Sequence, residues 1–190
     1  MMTVNKRKDS ALAKSPIVHK IADIRGGVTV DVSELTQDYL PAGTPISKPV
    51  SGVCHVVKYA ILQANAANDA TVLKVLKGHN LKVGDKVFAV SGGKNYGISA
   101  IDTSNSAYDE ITVGTTLGVA LTAGAAIYQG VATTGASAGA FLYEPFAIVG
   151  TGSLVVANTN IITDAWIHAV TCGNELPPLI ASGLKNVSNY

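Results

Sequence analysis

From Ile17 onward, short apolar runs are punctuated by glycine, proline and polar clusters, the pattern of strands joined by turns. Gly26-Gly27 marks a turn, and Val28-Thr29-Val30-Asp31-Val32 alternates as a half-buried strand does. Tyr39–Ile46 (YLPAGTPI) carries two prolines, which forbid a central strand or a helix, and Gly43 supplies a bend. Val53–Leu62 (VCHVVKYAIL) predicts one buried strand, and Asn65–Asp69 a loop or short helical turn.

Residues 71–130 read as a separate small β unit. Strands are expected at 71–76, 87–90, 97–102, 110–113 and 126–129. Between them lie turns at Gly78-His79-Asn80, Leu81–Lys86 and Ser91–Asn95 and a polar loop at Thr103–Tyr108. That spacing predicts a small barrel or sandwich. Residues 131–140 form a small-residue linker whose side chains cannot build a core. Strands are expected again at 147–149, 153–157 and 160–170, before Pro177-Pro178 ends the sheet. Leu179–Val187 is either one short helix or an extended tail. An internal echo links Tyr39–Ile46 to Ala120–Tyr128 (ALTAGAAIY): each places Ala-Gly two residues after a Leu and an Ile three residues after that glycine.

Composition sharpens this picture through charge. The chain has 190 residues, enough to bury a core without disulfides or metals, and a net charge of +1, which offers no field for gathering nucleic acid or an anionic membrane. Charged residues are 14%, against about 25% in an average domain. They are unevenly placed. Residues 1–16, expected to be a flexible basic arm, carry Lys6, Arg7, Lys8 and Lys14, whereas residues 111–190 carry only Glu144, Asp164, Glu175 and Lys185. Loss of charge marks surface that a partner covers, and equally marks a neutral Thr/Ser/Gly/Asn surface; the first reading is favoured. The arm is either a terminus with no role or one that orders on a neighbouring subunit or a capsid. Cys54 and Cys172 are expected as two buried free thiols, with a single disulfide left open. The basic N-terminus is followed by no apolar stretch, and Val113–Ile127 is broken by three glycines. The expectation is therefore a protein made in a cytoplasm, without a signal peptide or membrane insertion.

Candidate chemistry is sparse. His19, His55, His79 and His168 form no HxH, HExxH or HxxxH pattern, and His55 and His168 sit in apolar strands, expected as core or interface histidines. Gly92-Gly93-Lys94-Asn95 lacks the first glycine and the Ser/Thr of a phosphate loop. Gly150-Thr151-Gly152 lacks the third glycine of a dinucleotide fingerprint, because Val155 stands there. Asp102–Ser106 lacks the glycine and the bidentate Glu of a calcium loop. The expectation is no enzyme, with no catalytic, cofactor or metal residue, no nucleic-acid partner and no stacking platform among the dispersed tyrosines.

Leu81–Gly130, with its VGDKV turn, ISAIDTSNSAYDEITV and the closing ALTAGAAIYQ, resembles repeats in bacteriophage head proteins. Its flanks, LPAGTPISKPVSG, LYEPFAIVGTG and LPPLIASGLK, are similar to those of phage head fibre proteins, over most of residues 20–185. The Ala-Gly-x-x-Ile corner also resembles that of lambda-type head decoration proteins and SAF domains, both of the β-clip class. The resemblance implies a mainly β fold, with a small barrel or β-clip-like domain at 71–130 inserted in a capsid-proximal β-rich domain of 17–70 plus 141–190. It implies a non-enzymatic virion protein on the capsid exterior, a homotrimer whose N-terminal part contacts the major capsid protein. Two other readings stand beside it. One is a carbohydrate-binding adhesin, stacking a host-surface glycan on Tyr96, Tyr108, Tyr128 or Trp166. The other is a SAF-like binding module, which would need a catalytic partner domain that this chain has no room for.

Overall fold

A computed structural model describes residues 16–156, 159–173 and 175–189. The expected arm, apart from Pro16, lies outside them. The fold is mainly β. The strands in chain order are β1 (Ile17–Asp23), β2 (Val28–Asp31), β3 (Tyr39–Leu40), β4 (Pro45–Ser47), β5 (Cys54–His55), β6 (Tyr59–Ile61), β7 (Val72–Leu76) and β8 (Lys86–Phe88). They continue as β9 (Asn95–Asp102), β10 (Tyr108–Val113), β11 (Ala126–Gly130), β12 (Pro145–Val149), β13 (Ser153–Leu154), β14 (Ile161–Thr163), β15 (Ala165–Thr171) and β16 (Val187–Asn189). Among the described residues the one helix is α1 (Pro178–Gly183).

One sheet runs β6-β11-β8-β9-β10-β7. Its strands alternate as their sequences do: Leu73 and Val75 of β7 and Ile111 and Val113 of β10 point inward, onto Leu62, Leu81, Val87, Ile98 and Ile127. The two edge strands approach each other where Leu62 bridges Val75 and the Gln63 N–H donates to the Lys74 carbonyl, but strand pairing does not close a barrel. Beyond Gln63 the chain is drawn away, because Ala66 pairs with Leu121.

The rest of the chain forms a sheet ordered β1-β15-β12-β4, with β16 parallel to the end of β15, and two smaller ladders, β14-β2-β5 and β13-β3. Val30, Leu40, Ile46, Cys54, Val149 and Ala165 fill the core here. A third cluster joins the two parts: Phe88 and Tyr128 from the six-stranded sheet pack with Ile148, Ala169, Ile180 and Leu184. Phe141 completes an aromatic set, edge-on to Phe88 at 5.2 Å and to Tyr128 at 5.3 Å.

The echoed Gly corner occurs three times. Pro41–Thr44, Lys82–Asp85 and Thr122–Ala125 are the same four-residue turn, each preceded by a Leu and followed directly by a strand. Its third residue, Gly43, Gly84 or Gly124, has φ of 85°, 94° and 87°, the region that a type II turn requires and that glycine enters without strain. The glycine N–H donates outside the turn each time, to the carbonyls of Val149, Ile98 and Leu62 at 2.7, 2.9 and 2.9 Å. Each corner thus pins the start of a strand onto a distant one.

Several expectations change. The run Val53–Leu62 is not one strand: β5 pairs with β2, β6 pairs with β11, and the chain changes partners across Val56–Lys58. The expected strand at 160–170 breaks at Asp164 into β14 and β15, which join different sheets. Leu179–Val187 divides between α1 and the start of β16. Cys54 is buried but Cys172 is exposed, and both are free thiols. His168 is exposed on β15 rather than in the core.

Candidate functional site

Two features stand out from the packing: exposed aliphatic side chains on a stretch of chain without ionised groups, and a charged cluster at the junction of the two parts.

The surface lies on β13, the loop after it and β14. Leu154, Val156 and Ile162 are 62%, 60% and 77% exposed. No Asp, Glu, Lys or Arg occurs from residue 145 to residue 163, so no long charged side chain of this stretch can lie over them. Val18 and Ile21 are also exposed, on β1, which among the described strands pairs with β15. Its pairing is interrupted by register shifts, a device that blunts an open edge.

The cluster is built by short segments that converge. Asp31 ends β2, Glu34 sits in the following loop, His55 ends β5 beside Asp31 in the parallel ladder, and Lys58 follows three residues later. Asp85, the last residue of the second Gly corner, reaches in from the six-stranded sheet. Lys58 is only 3% exposed; its Nζ lies 3.3 Å from Glu34 Oε2 and 3.5 Å from Asp85 Oδ2. A buried ammonium needs such partners, because desolvating it alone is prohibitive. The Glu34 Oε2 contact is one of charge, without an aligned hydrogen bond. Gln129 Nε2 donates to Asp85 Oδ1 at 3.2 Å. The loop carrying Glu34 is tied to the other part as well: Thr36 N–H donates to Asn80 Oδ1 and its hydroxyl to the His79 carbonyl, Gln37 Nε2 donates to the Gly78 carbonyl, and Lys82 Nζ donates to the Ser33 carbonyl. A cavity of about 300 Å³ lies alongside, lined in part by Gln37, Lys58, Tyr59, His79 and Asn80.

Asp31 Oδ1 accepts from the Ser33 hydroxyl at 2.7 Å and the Ser33 N–H at 2.8 Å. The hydroxyl bond is the largest reason its carboxyl sits below the usual range; the Ser33 N–H, His55 and Lys58 add to it, against burial. The His55 ring stacks on Tyr143 at 4.0 Å with a 2° interplanar angle. Burial, then the charges of Glu34 and Asp31, push the Tyr143 phenol up. His55 Nδ1 is buried without a hydrogen-bond partner, 3.9 Å from Asp31 Oδ2 and 3.9 Å from Glu34 Oε1. Asp31, Glu34 and His55 form the one group of three or more His, Cys, Asp or Glu side chains, among the described residues, spaced to hold a metal ion.

A second polar knot anchors the turn at Gly78. His79 Nδ1 accepts from the Leu81 N–H at 3.2 Å, which leaves Nε2 to carry the proton facing Asp109 Oδ2 at 3.4 Å. Lys77 Nζ holds the other Asp109 oxygen at 2.6 Å. Burial lowers the His79 pKa, opposed by Asp109 and reinforced by Lys77.

The other candidates stay dispersed. Asp102 Oδ1 accepts from the Ser104 N–H, a local turn. Of the aromatic residues weighed for stacking, Tyr128 is buried, Tyr108 lies under Lys74 at 4.8 Å and Trp166 under Lys20 at 4.9 Å, with the Trp166 indole N–H donating to Asp164. Sequence spacing missed the charged cluster, since residues 31, 34, 55, 58 and 85 form no local motif; a lysine within an apolar run was the readable sign.

In comparisons with known proteins, no family model, no curated protein and no solved structure matches this chain. Among the described residues no helix is long and apolar enough to cross a membrane.

Proposed function

We propose that this chain is a non-enzymatic bacteriophage virion protein, a capsid decoration or head fibre component that works as a homo-oligomer, a trimer, seated on the major capsid protein at the capsid exterior. The observation that carries the reading is the aliphatic surface at Leu154, Val156 and Ile162 on a stretch without ionised groups. Exposed aliphatic surface stripped of charge is what a self-association or capsid-binding face needs. Apolar residues are not scarce on any folded surface; what favours an interface is three of them on one stretch of chain, residues 145–163, that carries no ionised side chain. The sequence resemblance to head fibre proteins supplies the word "phage", and the β-rich fold is compatible with it.

The test is light scattering of the purified chain at micromolar concentration, with Ile162→Asp and Leu154→Lys beside it. A stable multimer that both substitutions convert to a folded monomer supports the reading. A monomeric parent, or a multimer indifferent to both changes, overturns it.

A further inference from the structure

Each residue of the Asp31, Glu34 and His55 group has one polar atom engaged elsewhere or a ring face clamped, and one atom turned to a common point. Asp31 gives Oδ1 to Ser33 and keeps Oδ2; Glu34 directs Oε2 at Lys58 and keeps Oε1; His55 is held flat against Tyr143 and keeps Nδ1. His55 Nδ1 lies 3.9 Å from both Asp31 Oδ2 and Glu34 Oε1, and the three residues bring one ligand atom each to within 4.8 Å of one another. Around a zinc ion, ligand bonds of about 2.0–2.2 Å put neighbouring donor atoms about 3.3–3.6 Å apart, so closure shortens each separation by at most about 1.5 Å. We propose that Asp31 Oδ2, Glu34 Oε1 and His55 Nδ1 form a binding site for a divalent first-row transition ion of the zinc class.

Three observations point to an ion rather than to a self-sufficient ion pair. The first is the buried His55 Nδ1, which lies too far from either carboxylate, at 3.9 Å, for a hydrogen bond. The second is charge: Asp31, Glu34 and Asp85 outnumber the two ammonium groups nearby, Lys58 between Glu34 and Asp85 and Lys82 on the Ser33 carbonyl, so negative charge is left for a cation to offset. The third is the outer layer. Ser33 on Asp31, Lys58 on Glu34 and Tyr143 on His55 fix the ligands as the surroundings of metal sites do. One imidazole with two carboxylates suits zinc and its neighbours better than calcium, which prefers oxygen alone. The ion would tie β2 to β5, a parallel ladder of only two residue pairs, and hold the Glu34 loop that docks on residues 78–82. The site is thereby structural, with ligands supplied by one chain, and it stands whether or not the chain oligomerises.

The experiment is calorimetric titration of the full chain with zinc chloride at neutral pH, repeated with calcium chloride. One zinc per chain with a Kd at or below about 10 μM is expected, and zinc at about a hundred times Kd should raise the unfolding midpoint by roughly 5–10 °C. His55→Asn and Glu34→Gln should each weaken binding at least about tenfold. Cys172→Ser and His19→Asn, which remove exposed adventitious ligands, should leave it unchanged. Glu34→Gln alters a partly exposed, nearly isosteric side chain, so it keeps the test decisive if His55→Asn fails to fold. No stoichiometric zinc binding, binding that survives both ligand substitutions, or calcium bound more tightly than zinc overturns the proposal.

Discussion

In the six-stranded sheet, β8, β9 and β10 follow one another along the chain and pair in that order, whereas around β15 the partners come from opposite ends of the sequence: β1 lies on β15, β4 on β12 and β2 on β14. The two regions also treat outward-facing apolar residues differently. Val72 and Leu76 of β7 are exposed, but Lys74 between them lies over the Tyr108 ring and pairs with Glu110 at 3.7 Å. Charged residues thus stand on the same strand pair as these exposed apolar positions. Leu154, Val156 and Ile162 have no such neighbours in their own stretch. An exposed aliphatic side chain says little by itself; whether charge stands beside it separates ordinary surface from a face awaiting a cover.

The comparison can be broken first at the residue that joins its two halves. Lys58→Ala leaves Glu34 and Asp85 facing each other across a junction without its cation. It should destabilise the chain by about 3–5 kcal/mol, read as a lower urea midpoint, toward the lower end because both carboxylates keep some exposure. A loss below about 1 kcal/mol would mean that the regions do not depend on the ammonium between them.

A smaller effect tests whether the regions share a construction rule. Gly84→Ala places a Cβ at φ 94° in open space, so its penalty is purely conformational, about 1–2 kcal/mol. Gly43→Ala in the other region, with φ of 85°, should cost at least as much by the same denaturation assay. A neutral Gly84→Ala would show that the corner can be rebuilt without a left-handed residue.

The smallest effect belongs to the six-stranded region alone. The His79 pKa is lowered from its ordinary 6.5 on folding, chiefly by burial. The unfolded chain therefore takes up a proton first as pH falls, and stability declines from about pH 6.5 downward until the native pKa is passed. His79→Gln should flatten that part of the stability–pH curve, measured by urea midpoints across the range. An unchanged slope would place the sensitivity elsewhere.

Much of the local structure was readable because it is local. The strict alternation of β7 and β10, and the turns before β8 and β11, follow from residues a few positions apart. The Gly84 corner carried the same Leu-x-x-Gly spacing as its two counterparts and was legible as a third copy, yet its charged Lys82 and Asp85 disguised it. What pairs with what across the chain was not legible. Val53–Leu62 reads as one apolar run apart from His55 and Lys58, and only the distant partners Val30 and Tyr128 reveal that it divides between two sheets. The charged cluster was hidden for the same reason: Asp85 reaches Lys58 only once the second Gly corner has folded.

Thr171, near the end of β15, is flanked on one side by Ile17, where β1 begins, and on the other by Asn189, where β16 ends. Two strand spacings put those positions about 10 Å apart. A short linker between them, with the backbone opened instead at the exposed Ser104–Ser106 loop, would give a permuted chain whose new ends leave from the far hairpin of the six-stranded sheet.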